Sequence, residues 1–102
     1  MDFQNILRQA AQLKERMQKI QEELGGRTVE ATAGGGMVTA VANGRQEIVE
    51  IRIEKEVLRP EEAELLQDMI RGAVNSALSR SREMASQEMA KLTGGLGIPG
   101  LF

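Results

Sequence analysis

From Phe3 to Leu24 the apolar residues recur three and four apart without a break: Phe3, Ile6, Ala10, Leu13, Met17, Ile20 and Leu24. A seam of that spacing marks an α-helix with one apolar side, and such a helix needs something to lie against. Leu7 and Ala11 widen the seam, while Gln, Lys, Arg and Glu, all good helix formers, fill the other positions. The pattern predicts a helix over residues 2–24. Gly25 and Gly26 then stop it, since glycine readily takes the left-handed conformation just past a helix end.

Beyond Arg27 the period drops to two. Val29, Ala31 and Ala33 alternate with Thr28, Glu30 and Thr32, and "MVTAVA" is prone to strand. Asn43-Gly44 signals a hairpin turn, because both positions tolerate positive φ. In "EIVEIRIE", Val49, Ile51 and Ile53 face one way and Glu50, Arg52 and Glu54 the other. The reading is a meander of three antiparallel strands, apolar on one face and solvated on the other. A second helix is expected to start near Pro60, with Glu61, Glu62 and Glu64 at its dipole-favoured first turn. Leu65, Leu66, Met69, Ile70, Ala73, Val74, Ala77 and Leu78 form its apolar stripe, thinning to Met84, Ala85, Met89 and Leu92 before Gly94-Gly95. The fold class is therefore α+β: long N-terminal helix, three-stranded antiparallel β-meander, long C-terminal helix. Residues 1–93 make one α-β-β-β-α domain, and 94–102 a Gly- and Pro-containing apolar tail, mobile or docked on an apolar surface.

Lengths carry the next step. A second helix of about 32 residues spans on the order of 50 Å and the first roughly 35 Å, whereas strands of about seven residues cover only about 23 Å. So small a sheet leaves the far ends of both helices overhanging. Their apolar stripes stay wet unless helices pack on each other or on a second copy, which points to a homodimer with helical arms projecting from a sheet-centred body. The candidates for core or dimer packing are Met17, Ile20 and Leu24 on the first helix, Val49, Ile51 and Ile53 on the third strand, and Met84 and Met89 on the second helix. Six Met could also form an adaptable binding groove, but core and dimer packing is the simpler use.

What the chain lacks narrows its chemistry. It has no Cys and no His, which removes disulfides, thiolate nucleophiles, imidazole bases and the usual zinc ligands together. No stretch approaches the roughly 18 apolar residues of a membrane span, and the charged N-terminus is unlike a signal peptide, so a cytoplasmic location is expected. Gly34-Gly35-Gly36 is followed by Met-Val-Thr-Ala rather than by the Lys-Ser/Thr and helix of a phosphate-binding loop. A turn or bulge between the first two strands fits it better. The acids Glu54, Glu56, Glu61, Glu62 and Glu64 lack the spacing of a calcium loop and fall where carboxylates are normally solvated. Ser76, Ser79, Ser81 and Ser86 have no base to activate them and read as ordinary helix-surface serines. The chain is not read as an enzyme, and no metal, cofactor, membrane or small-molecule substrate is expected.

Net charge is −2, which by itself argues mildly against nucleic acid, but placement matters more than the sum. Arg8, Lys14, Arg16 and Lys19 on the first helix are interrupted only by Glu15, and on the second no acid occurs from Met69 to Arg82, where Arg71, Arg80 and Arg82 fall. The middle of each helix is locally positive. From charge alone, an ordinary solvated helix face explains this better than a binding surface does.

The ordered segments "LRQAAQLKERMQKIQEEL", "VTAVANGRQEIVEIRIE" after the glycines, "EEAELLQDMIRGAVNSAL" and "KLTGGLGIPGLF" together resemble the YbaB/EbfC family of bacterial nucleoid-associated DNA-binding proteins. The resemblance covers nearly the whole chain and rests on the combination, not on any one short motif. It implies a small cytoplasmic homodimer, shaped like tweezers, that associates with the nucleoid and binds duplex DNA without catalytic residues or cofactor. It also implies that the basic helical arms make the DNA contacts, here through Arg8, Lys14, Arg16, Lys19, Arg80, Arg82 and Lys91. The rival reading is a protein-interaction adaptor that uses the helical arms or the apolar C-terminal tail.

Overall fold

The computed structural model describes residues 2–94. The chain runs through α1 (Phe3–Gly25), β1 (Thr28–Ala33), β2 (Val38–Asn43), β3 (Ile48–Ile53) and α2 (Ala63–Gly94). Two 3-10 turns, Lys55–Val57 and Pro60–Glu62, join β3 to α2. Helix, meander and helix thus follow in the expected order, and the expected tail lies, past Gly94, outside the described residues. Pro60 opens the turn that feeds α2, as a residue with preset φ and no N–H is suited to do. Asp2 caps α1, its carboxylate accepting the Gln4 N–H at 3.1 Å.

Two turns differ from expectation in their mechanism. α1 does not end in a left-handed residue: Gly26 has φ −95°. The helix ends where the β2–β3 turn docks on it. Gly44 N–H donates to the Leu24 carbonyl at 2.8 Å, and a Cβ on Gly44 would lie 2.7 Å from that same oxygen. Gly44 is therefore required by close approach and not by its own φ. The turn is a three-residue loop in which Gln46 takes the left-handed conformation (φ 63°), and Gln46 N–H donates to the Asn43 carbonyl at 3.2 Å. The β1–β2 connection is different, since Gly34, Gly35 and Gly36 all have positive φ, where a side chain would be strained.

The sheet is antiparallel in the order β1-β2-β3. β1 and β2 pair in regular register, bringing Val29, Ala31 and Ala33 beside Ala42, Ala40 and Val38 on one face. Against this face α2 lays Met69, Ala73 and Ala77, all buried, and Val57 from the first 3-10 turn closes one end. The alanines let helix and sheet approach closely. On β3 a bulge opposite Val41 and Ala42 breaks the simple alternation, so that Ile48, not Val49, pairs with Ala42. Val49, expected to share a face with Ile51 and Ile53, is the extra residue and is exposed. The other sheet face is polar, with Val41 buried between Glu30 and Glu50. Arg52 donates to both of these carboxylates and so stretches across Val41.

The described residues measure 69 × 24 × 15 Å, with a radius of gyration of 19.4 Å. A compact chain of this length would have about 13 Å. The excess comes from an arm. Near Leu24 and Ser81 both helices meet the β2–β3 turn; from there α1 runs back and α2 runs on, side by side in opposite directions. From Asp2 to Gln12 every residue of α1 is exposed.

Candidate nucleic-acid interface

The cations divide by region. In the body, Arg27 pairs with Glu88, Arg52 with Glu30 and Glu50, Arg59 with Glu61 and Glu62, and Arg71 with Asp68. On the arm, Arg8, Lys14, Arg16, Lys19 and Arg82 form no ion pair among the described residues. The other two candidates are engaged: Arg80 donates to the Glu30 carbonyl oxygen, and Lys91 pairs with Glu88 at 3.1 Å. Arg45 and Lys55 form no ion pair among the described residues either; the former belongs to the turn that docks on α1.

Helical spacing distributes the free charges around α1. Arg16 and Lys19 meet Lys91 in a shallow depression of about 360 Å³ between the helices, lined also by Ile20, Glu23, Glu88 and Leu92. Lys14 lies on the opposite flank, where it and Arg45 rim a groove of about 740 Å³ floored by Ala10, Leu13 and Met17. Arg8 stands alone toward the tip, and Arg80 and Arg82 sit near the root.

Electrostatics in the arm are those of solvated side chains. Hydrogen bonds from Arg27 first and Lys91 second hold the Glu88 carboxyl below its ordinary range. On the sheet, Glu30 and then Glu50 hold Arg52 more firmly in its charged form. Among the described residues no three His, Cys, Asp or Glu converge as a metal site, and no helix is long and apolar enough to cross a membrane.

Of the apolar candidates, Leu24 is buried, Ile20, Ile53, Met84 and Met89 are half-buried, and Met17, Val49 and Ile51 are exposed. Leu65, expected within the α2 stripe, is instead half exposed. One residue differs in kind from expectation. Ser81, expected at the helix surface, is completely buried. The signal was present: Met69, Ala73, Ala77 and Ser81 follow at intervals of four, and all are buried.

Fold and charge together define a small α+β binding module, with a packed body and a projecting pair of helices that carries unneutralised cations. Residues 1–96 match the YbaB/EbfC DNA-binding family, and the chain belongs to that family, which is one of DNA-binding proteins and not of enzymes. It is 55% identical over 101 residues to a nucleoid-associated protein of Pelotomaculum thermopropionicum, covering 99% of this chain and 96% of that one. To a nucleoid-associated protein of Thermoanaerobacter pseudethanolicus it is 54% identical, covering 99% and 91%. An uncharacterized Helicobacter pylori protein of known crystal structure shares the fold, with a TM-score of 0.82 at 24% identity over 91% of this chain and 98% of that one.

Proposed function

We propose that this protein is a nucleoid-associated DNA-binding homodimer of the bacterial cytoplasm, which grips duplex DNA mainly by its phosphates, through the basic helical arms. The observation that carries the reading is the division of charge. Among the described residues most arm cations, Lys91 excepted, are left without carboxylate partners while most body cations are neutralised, so a slightly acidic chain still presents a local positive surface. Family membership and the names of the two relatives agree with it. Contacts of this kind position a protein on DNA without reading sequence, so binding is sequence-tolerant, with effects on nucleoid organisation and gene expression following from occupancy.

A second copy is called for by apolar surface the single chain leaves wet. Phe3 (71% exposed), Leu7 (54%) and Met17 (40%) lie along α1, Val49 (53%) and Ile51 (43%) lie on the edge strand β3, and Leu65 (50%) lies in the first turn of α2. Pairing two bodies along the β3 side would set two arms facing one another, as in tweezers.

A gel shift across a salt series, run beside light scattering, tests both parts. With about four phosphate contacts, log affinity falls against log salt with a slope of roughly −3.6. The scattering mass is that of a dimer at micromolar concentration, and Ile51→Arg shifts it toward the monomer. Salt-insensitive binding, or no binding at low salt, rejects the phosphate mechanism; a monomer mass rejects the tweezers.

A further inference from the structure

Ser81 sits in mid-helix and is fully buried, in a place that nothing about packing alone requires to be polar. Its hydroxyl donates to the Asn43 carbonyl at 2.6 Å and accepts from Gln46 N–H at 3.1 Å. The same short turn is braced by the Asn43 side chain, whose Oδ1 accepts from Arg45 N–H (2.9 Å) and Glu47 N–H (3.1 Å). On its other side Gly44 N–H donates to the carbonyls of Leu24 (2.8 Å) and Arg27 (3.0 Å). One turn therefore grips the end of α1 and the middle of α2 at once.

We infer that this joint, Ser81 with Asn43, Gly44 and Gln46, holds the two arm helices at a fixed spacing and so positions the cations of α1 against those of α2 for contact with DNA. The inference rests on the proposed role of the arms, yet none of these residues carries charge. The reason is leverage. Arg8 lies 16 residues from Leu24 along α1, roughly 24 Å. A rotation of about 10° at the joint would then move it by about 4 Å, more than a hydrogen-bond length. Beyond the turn, the Arg27–Glu88 pair ties the connection after α1 to α2, but it is solvent-exposed and weakened by salt. Ser81→Ala should still fold, because Gln46 N–H keeps its bond to the Asn43 carbonyl.

The absence of cysteine makes the test direct. Nitroxides are placed at Gln12→Cys on α1 and Gln87→Cys on α2, with labelled chain diluted by unlabelled so that pairs within one chain are read. Ser81→Ala is expected to broaden the distance distribution while helix content by circular dichroism holds. In the unlabelled protein the salt slope should shrink by about 0.9 for each phosphate the arms no longer reach, and affinity at about 0.1 M salt should fall about eightfold for each. Ser79→Ala, at an exposed neighbour, should change neither. Ser81→Cys, close in volume but a weak donor, should move affinity and slope in the same direction and serves if the alanine variant fails to fold. An unchanged distance distribution overturns the inference, as does a broadened one with affinity and slope intact. If the wild type binds no DNA, the arm reading fails by itself, and the distances still decide whether the joint fixes the spacing.

Discussion

Body and arm are built on opposite principles. In the body, small residues of β1, β2 and α2 lock face to face, with Val38, Ala40, Ala73 and Ala77 wholly excluded from water. In the arm, α1 has one buried residue, Leu24, and is otherwise held by its own good helix formers. Body cations are mostly matched with acids, whereas those of α1 are not. The proposed phosphate-binding role needs a surface that has not neutralised itself beforehand, and a helix that projects cannot bury its length. Stability is concentrated in one region and, in the proposed function, binding in the other.

That contrast can be broken from either side. The largest effect is expected from reversing the free charges. Lys14, Arg16 and Lys19 together changed to Glu should reduce DNA affinity by about 10²–10³-fold at 0.1 M salt, about one log unit per phosphate contact, with the melting temperature barely moved. Equilibrium binding beside a thermal melt checks both halves. A protein-interaction adaptor would instead keep its partner through this change.

Leu24→Ala attacks the point where arm meets body. Truncating so buried a leucine should cost about 2–5 kcal/mol, read by urea titration. Met17→Ala, seven residues earlier on the same seam, should cost a single chain well under half of that, because Met17 remains 40% exposed.

A finer comparison lies within the arm. Lys19→Gln should weaken DNA binding about eightfold at 0.1 M salt, the value of one phosphate contact. Lys91→Gln should weaken it less, since Lys91 is already paired with Glu88. Equal losses in a gel shift would mean that the intramolecular pair does not compete with DNA.

The smallest effect concerns pH. Glu88 has its folded pKa lowered, by Arg27 first and Lys91 second, so its stabilising contribution is present above the ordinary carboxylate range and is lost as the pH falls through and below it. Melting curves of wild type and Glu88→Gln should differ slightly at neutral pH and converge in acid. The exposed setting keeps the difference small.

Much of this was legible in the chain itself. The change from a period near 3.5 to a period of two and back marked every long element to within about two or three residues, because burying one face imposes a spacing that each element repeats. The overhang followed from rise per residue, and the clustered cations of α1 could be read directly. Two details of the sheet could not. The bulge that turns Val49 outward depends on how β3 pairs with β2, since alternation alone cannot say where a residue is skipped. Asn43-Gly44 has the look of a tight turn with two left-handed residues, but the left-handed position is Gln46, and Gly44 is there to let Leu24 approach.

The sequence by itself determined which segments are helix and which are strand, that catalysis by His or Cys is absent, and where on the helices positive charge clusters; these follow from local pattern and residue chemistry. The tertiary structure decided which of those charges remain available, because pairing such as Lys91 with Glu88 depends on side chains brought together in space. It also decided that Ser81 is a joint rather than a surface residue, since its two partners are supplied by a turn 35 and 38 residues away along the chain.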